Sequence, residues 1–274
     1  MAGQAPTVGE RRVMLDTLQL VLGGLSGVLV GFTLGLVGGG GSILAVPLMV
    51  YLVGVKSPHV AIGTSALAVA LNAMLGLFSH WRAGNVKWRC ASVFAVSGVA
   101  GAALGSTIGK AMDGQKLLFL FAIIMIVIGV VMLRGRGATG DPNVRLGREN
   151  AGKLVGFGAG AGLFSGFFGI GGGFLIVPGL IAATGMPMLN AVGSSLVAVS
   201  AFGVTTATNY ALSGLIDWPL ATAFIGGGFV GSFVGTKAAT GLAGRRGLLT
   251  TVFAGLIFVI AGYMLWKSYF ALFG

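Results

Sequence analysis

Two glycine-rich stretches contain the residues of this sequence best suited to bind a ligand. The first runs from Gly38 to Pro47 and reads GGGGSILAVP, and the second runs from Gly169 to Pro178 and reads GIGGGFLIVP. Consecutive glycines hold a regular helix poorly, since each costs about 1 kcal/mol relative to alanine in a helix interior. At membrane depth, irregular backbone is tolerated only where protein or a water-filled cavity covers it. We therefore expect both stretches to line a ligand site.

The chemistry predicted at these stretches is anion binding by backbone N–H groups. A half-helix that begins at Ser42 or Gly173 would point unpaired N–H groups and the positive end of the helix dipole into the protein. Helix N-termini of this kind bind anions without a charged side chain. Close helix packing would explain glycines spaced one per turn, but it explains four in a row poorly. The predicted backbone ligands are Gly39, Gly40, Gly41, Ser42, Gly171, Gly172 and Gly173.

Polar side chains in two apolar segments are further candidates. Steps of seven residues stay on one face of a helix, and they lead from Ser65 to Asn72 and, in two steps, from Ser195 to Asn209. A polar stripe on an apolar helix faces protein or a pathway, and hydrogen bonding between helices explains it equally well. The predicted side-chain ligands are Thr64, Ser65, Asn72, His80, Ser194, Ser195 and Asn209.

The two histidines, His59 and His80, leave a proton relay open as a hypothesis. His80 lies at the end of an apolar segment, where long polar side chains more often reach towards lipid headgroups.

Acidic residues avoid the centres of the apolar segments. Cation transporters and proton pumps usually place carboxylates there, so their absence disfavours cation transport. No metal-ligand cluster, nucleophile elbow or P-loop is found either, so we expect neither a cofactor nor enzymatic activity. The six acidic residues are Glu10, Asp16, Asp113, Asp141, Glu149 and Asp217.

Composition places the chain in a membrane. Mean hydropathy is +0.97, and 8% of residues are charged, against roughly 25% in soluble domains. Apolar runs near 20 residues recur along the chain, which predicts an all-α polytopic membrane protein. The formal net charge of +11 suits anchoring to anionic headgroups and would also attract anions.

The predicted organisation is two membrane repeats joined by a basic linker. The units are a polar tail at 1–12, repeats at 13–133 and 154–270, and a linker at 134–153. Each repeat contains about four transmembrane helices and one short half-helix. Full segments are predicted at 13–37, 60–79, 90–109, 116–133, 154–168, 189–212, 219–239 and 248–267, and short segments at 43–53 and 174–183.

The repeats are predicted from identities in register. An offset of 131 residues superposes Gly27, Gly31, Gly35 and Pro47 on their counterparts, and an offset of 130 then does so for residues 61 to 105. Such duplication is typical of secondary transporters, whose sites lie between the halves. The relative orientation stays open: the short segments are too short to span, which favours eight crossings, whereas the charges of the loops favour inversion.

The glycine-rich stretches, each followed by Val-Pro, a polar turn and Gly-Thr-Ser or Gly-Ser-Ser, resemble the sulfite exporter TauE/SafE family of membrane permeases. The resemblance covers about residues 18–267, and its most specific parts are Gly38–Pro47 with Gly63–Ser65 and Gly169–Pro178 with Gly193–Ser195. It implies transport of small sulfur-containing or organic anions, such as sulfite or sulfonates, across a bacterial inner membrane.

We call Gly38–Gly41 the first glycine cluster and Gly169–Gly173 the second. The expected function is therefore secondary transport of small anions by alternating access, with the anion bound at the glycine clusters. The expected partners are the anion and the lipid bilayer, without nucleic acid. Proton coupling and homo-oligomerisation stay open. Two alternatives also stay open: a membrane subunit that scaffolds a partner enzyme, and a passive anion channel.

Overall fold

The protein is an all-α polytopic membrane protein. The computed structural model describes residues 8–134, 146–169, 173–241 and 246–273, and these are helical apart from short turns. Six helices in the described ranges are long and apolar enough to cross a membrane. All ten predicted segments coincide with helices, whereas most of the predicted linker lies outside the described residues.

The first half contains four long helices and one composite short helix. The long helices are α1 (Val8–Val37), α3 (Pro58–Arg82), α4 (Trp88–Ala111) and α5 (Gly114–Arg134). Between α1 and α3, the chain forms a 3-10 turn at Gly38–Leu44, α2 at Ala45–Pro47 and a π turn at Leu48–Leu52. We call these three pieces together the first half-helix.

The second half has the same order of elements. The long helices are α6 (Arg148–Phe168), α8 (Met188–Ala211), α9 (Trp218–Gly241) and α10 (Arg246–Phe273), and the short helix between α6 and α8 is α7 (Gly173–Thr184). We call α7 the second half-helix.

Glycines in the left-handed conformation end the helices that precede both half-helices. Gly38 has a φ of 70° and Gly169 a φ of 66°, a region that glycine adopts at little steric cost. One detail of the prediction was wrong: the first half-helix begins at Gly38 rather than at Ser42, because the glycine run winds into a 3-10 turn.

Glycine faces allow two pairs of helices to pack with their backbones in contact. α1 lies along α9, and α6 lies along α4. A Cβ at Gly35 would lie 2.6 Å from the Ser232 carbonyl oxygen, and one at Gly158 would lie 2.6 Å from the Phe94 carbonyl oxygen. Each pair joins a helix of one half to a helix of the other.

The central helices α3 and α8 run antiparallel. A Cβ at Gly203 would lie 2.8 Å from the Ala70 Cβ, and one at Gly76 would lie 3.4 Å from Leu196 Cδ1. Residue numbers thus rise along one helix as they fall along the other. Because α3 and α8 occupy the same place in their halves, the halves are inverted relative to one another. The direction of the chain therefore alternates over five segments in each half, four long helices and one short helix. The common ancestry of the halves stays a prediction.

Aromatic residues mark the two ends of this bundle. Trp88 begins α4 next to the end of α3, where its ring contacts Trp81. Trp218 begins α9, next to the start of α3, and is also exposed. Tryptophans are enriched where a membrane protein crosses the interface between lipid and water. The chain is accordingly a multi-pass integral membrane protein.

Candidate functional site

The two glycine clusters meet in the interior of the protein. A Cβ at Gly39 would lie 2.5 Å from the Gly173 Cα and 2.8 Å from Val199 Cγ2. Conversely, a Cβ at Gly173 would collide with the backbone of Gly39. The contact joins the starts of the two half-helices, which belong to opposite halves of the chain.

The Gly39 N–H, predicted to be unpaired, has a partner from the second half. It donates a hydrogen bond of 3.3 Å to Ser195 Oγ, which itself donates to the Val192 carbonyl at 2.7 Å. Ser42 Oγ donates to the Gly39 carbonyl at 2.8 Å. A ligand at Gly39 would therefore replace a hydroxyl group rather than fill an unmet bond.

The remaining cluster residues differ in how far the structure describes them. The backbone of Gly40 lies in the 3-10 turn. The Gly41 carbonyl accepts from Thr33 Oγ1 at 3.3 Å, a contact that the sequence patterns did not predict. Gly171 and Gly172 lie outside the described residues, so their role stays a prediction.

Ser65 corresponds to Ser195 in the first half and lies one helical turn after Ile62, which contacts the second cluster. Its hydroxyl is fully buried and donates to the Ile62 carbonyl at 3.1 Å. A Cβ at Gly169 would collide with the Ile62 side chain, just as one at Gly38 would lie 2.7 Å from Val192. The two serines thus belong to the surroundings of the clusters.

Thr64 and Ser194 hold loops. Thr64 Oγ1 accepts from the Asp217 N–H at 3.0 Å, and Ser194 Oγ accepts from the Lys87 N–H at 2.9 Å. Each hydroxyl thus fixes the loop before a long helix of the other half. The structure does not bring either hydroxyl into contact with a described glycine of the clusters.

Asn72 is buried in the middle of α3 without a hydrogen bond. Its side chain is 0% exposed, and neither amide atom has a hydrogen-bond partner among the described residues. The amide lies against Gly228 of α9 so closely that a Cβ at that glycine would collide with it. A buried amide without partners costs about 1–3 kcal/mol of stability, which is typical of a position kept for a ligand or water.

His80 is the second buried polar side chain of α3 without a partner. It is 4% exposed, and neither ring nitrogen forms a hydrogen bond within the part of the chain that the structure describes. The ring comes close to the backbone of Gly35, without hydrogen-bond geometry. Gly35 lies one helical turn before the first cluster, so His80 faces the region where that cluster begins.

Asn209 lies far from the clusters. It is fourteen residues after Ser195 on α8, a distance of about 21 Å along a helix. Its side-chain oxygen accepts from Lys110 Nζ at 2.7 Å, and its amide nitrogen donates to Ser106 Oγ at 2.6 Å. Sequence spacing placed Asn209 on the face of Ser195, but the structure places it at the opposite end of the helix.

The sequence patterns did not single out two further buried polar side chains, Thr206 and Tyr210 of α8. Their hydroxyls are buried and have no hydrogen-bond partner among the described residues. Applying the 130-residue offset to Gly76 and His80 leads to these two positions, so the repeat was the signal that could have identified them. Within the described residues, no group of three or more His, Cys, Asp or Glu could hold a metal ion.

Inverted halves that bring helix breaks together in the interior define the architecture of a membrane transporter. A family profile described as sulfite exporter TauE/SafE matches residues 23–264. The chain belongs to this family.

Its relatives are named as membrane transporters. A probable membrane transporter protein of Xylella fastidiosa strain Temecula1 is 50% identical over 252 residues, which cover 90% of this chain and 95% of that protein. The probable membrane transporter protein YdhB of Bacillus subtilis is 26% identical, covering 86% of this chain and 96% of that protein. No solved structure matches the chain. These names place the chain among membrane transporters.

Proposed function

We propose that this protein is a secondary transporter of small oxyanions, sulfite or sulfonates above all, which it moves by alternating access between its two halves. The observation that carries this proposal is the contact between the two glycine clusters, Gly39 against Gly173, at the starts of two short helices of opposite halves. The description of the family supports a sulfur oxyanion as cargo.

The electrostatics of the cluster contact favour an anion. α7 begins at Gly173, and the first turn of a helix has N–H groups without partners inside the helix, together with the positive end of its dipole. Among the acidic residues of the described ranges, Asp113, Glu149 and Asp217 lie outside or in the first turns of α5, α6 and α9, away from this contact. Glu10 and Asp16 lie in the first third of α1, whose other end leads to the contact. An oxyanion would accept hydrogen bonds from cluster N–H groups, and the hydroxyls of Ser65 and Ser195 would turn from the carbonyls of Ile62 and Val192 to donate to it.

The helix pairing supplies two units that could move against each other. α1 and α9 form one pair with backbone contact, and α4 and α6 form the other. Each pair joins the two halves, while α3 and α8 cross between them. In alternating access the site stays in place while one unit rocks against the other, which would open the cluster contact to each side in turn.

Flux of labelled sulfite and sulfoacetate into proteoliposomes of the purified protein tests the proposal. Saturable flux is the expected result. Conductance that does not saturate would indicate a passive channel instead. The absence of flux for both anions, with a co-purifying enzyme, would indicate a scaffold subunit.

Replacing Ser195 by alanine is expected to lower saturable flux about tenfold while the protein still inserts into membranes. The variant removes the hydroxyl that would donate to the anion, and a hydrogen bond to a charged group contributes about 1.5–3 kcal/mol, which is tenfold or more in affinity. The matched control is Ser200→Ala, because Ser200 Oγ donates only to the Leu196 carbonyl of its own helix, at 2.8 Å. Equal flux in the two variants would remove Ser195 from the site.

Replacing Asn72 by leucine is expected to raise the melting temperature of the protein and to abolish flux. Leucine has a similar shape and removes a buried amide without partners, whose desolvation costs about 1–3 kcal/mol. Phe202→Leu at the corresponding position of α8 is the control, and it should lower the melting temperature, since it leaves a cavity. Retained flux in Asn72→Leu would show that the amide does not serve transport.

A further inference from the structure

Three corresponding positions on α3 and α8 contain chemically different side chains. On α3 they are Asn72, Gly76 and His80, at steps of four residues that keep one face of a helix. The 130-residue offset assigns them to Phe202, Thr206 and Tyr210 on α8. All but Gly76 are less than 5% exposed. The two faces are therefore equally buried, but α3 contains an imidazole where α8 contains a phenol.

His80 and Tyr210 lie at opposite ends of the antiparallel pair. Each is eight residues beyond the corresponding central positions, Asn72 and Phe202, or about 12 Å along its helix. In the described ranges, the ring nitrogens of His80 and the hydroxyl of Tyr210 have no hydrogen-bond partner. The two groups thus occupy equivalent depths on the two sides of the centre.

His80 is the one buried side chain in the described part of the chain that can gain a positive charge. The other buried polar side chains are serines, threonines and Asn72, which do not titrate, and imidazole is the side chain whose charge ordinarily changes between about pH 5 and 8. Buried Tyr210 and Cys90 could only become anions, and only at higher pH.

Charged groups around this end of α3 are cations. Arg82 of α3 lies 4.4 Å above the ring of Phe78, and Lys237 of α9 lies 4.3 Å above the ring of Phe233. Other elements near α3 contain further described charged or titratable groups. These are Lys87, Arg89 and Cys90 of the α4 start, Tyr51 of the π turn, Arg134 of α5 and, at the far end, Lys116 of α5, Tyr210 of α8 and Glu10, Arg11, Arg12 and Asp16 of α1.

Described carboxylates are at the other end or on other helices. The Asp217 N–H bonds to Thr64 near the start of α3, and Asp113 precedes Gly114, which packs on Pro58. Glu149 begins α6. None of these carboxylates is therefore placed as a standing partner for a protonated His80, which leaves a bound anion as its counter-charge.

We propose that His80 binds the proton that travels with the anion. Transport is then coupled to protons through this residue, which lies in the last turn of α3. This inference rests on the proposed function. In the open conformation, one ring nitrogen takes a proton from water, and the imidazolium pairs with the oxyanion. When the site closes, the buried pair of imidazolium and oxyanion carries one negative charge fewer than the free anion. After reorientation the anion leaves, and the proton passes from the ring nitrogen back to water.

The test of this inference is the accumulation of labelled sulfoacetate in proteoliposomes, driven by a pH difference across their membrane. The sulfonate and carboxylate of sulfoacetate stay ionised around neutral pH, so the anion itself carries no proton across. One proton coupled to each anion makes a difference of one pH unit support about a tenfold accumulation. We expect that accumulation in the wild type and its loss in His80→Tyr, which installs the side chain of the corresponding position, and in His80→Gln, which is smaller. His59→Asn and Tyr210→Phe are the matched controls and should keep it. The same panel is run with sulfite, whose own titration is identical for every variant.

The outcomes separate this inference from the function on which it rests. Saturable flux that the pH difference does not drive, or a driven accumulation that survives in both His80 variants, overturns proton coupling through His80 and leaves an anion transporter. Loss of accumulation in both His80 variants with saturable exchange retained supports it. The absence of saturable flux of both anions in the wild type overturns the proposed function and this inference with it.

Discussion

Replacing Gly39 by valine is expected to abolish anion transport, because the two half-helices could no longer meet. The new Cβ would lie 2.5 Å from the Gly173 Cα and 3.0 Å from its carbonyl carbon. Backbone cannot rotate away as a flexible side chain can, so the half-helices would have to separate. Overpacking in a well-packed core costs about 1–3 kcal/mol, and a tenfold loss of rate needs only about 1.4 kcal/mol in the barrier.

Gly173→Ala should have a similar effect from the other half, since its Cβ would meet the Gly39 backbone. The matched control is Gly226→Ala on α9, where an added Cβ meets nothing within 4 Å. Flux of labelled sulfite and sulfoacetate in proteoliposomes is compared at equal amounts of inserted protein. Normal flux in both cluster variants would exclude the cluster contact from the transport mechanism.

Replacing Gly162 by alanine is expected to lower the stability of the protein, unlike glycine-to-alanine changes on the open face of α6. The added Cβ would collide with the backbone of Gly98 on α4, and the two helices would have to move apart along their whole contact. The expected cost is about 1–3 kcal/mol, measured as a lower melting temperature of the purified protein in detergent.

The control for this change lies on the same helix. Gly160 is two residues away, and a Cβ there meets nothing within 4 Å. Gly160→Ala should leave the melting temperature unchanged or raise it, because alanine favours a helix by up to about 1 kcal/mol over glycine. Gly31→Ala tests the equivalent contact of α1 with Gly228 and should resemble Gly162→Ala. Equal melting temperatures for Gly162→Ala and Gly160→Ala would contradict the packing argument.

These predictions separate two uses of glycine. Glycines at one-turn spacing, such as Gly27, Gly31 and Gly35, face the backbone of α9 and allow two straight helices to approach. The consecutive glycines from Gly38 onwards end α1, form a tight turn and contact the other half. Variants of the first kind should unfold more easily, whereas variants of the second kind should insert normally and lose transport.

The sequence by itself determined the class of protein, the approximate positions of the described helices and the places where helices break. Apolar length decides membrane insertion locally, and a run such as Gly38 to Gly41 breaks a helix wherever it stands, so neither inference needs a neighbour. Spacing also showed which residues share a helix face, such as Ser195 and Asn209. It did not show that Asn209 lies at the far end beside Lys110, because a shared face says nothing about the surroundings at each depth.

Only the tertiary structure decided which groups meet. The bond from the Gly39 N–H to Ser195 joins residues 156 positions apart, and the antiparallel crossing of α3 and α8 sets the inversion that loop charges and segment lengths left open. The unpartnered state of Asn72 and His80 likewise became visible only with every neighbour in place. Hydropathy and periodicity record what one segment requires from its surroundings, whereas the partner that meets the requirement is chosen by packing across the whole chain.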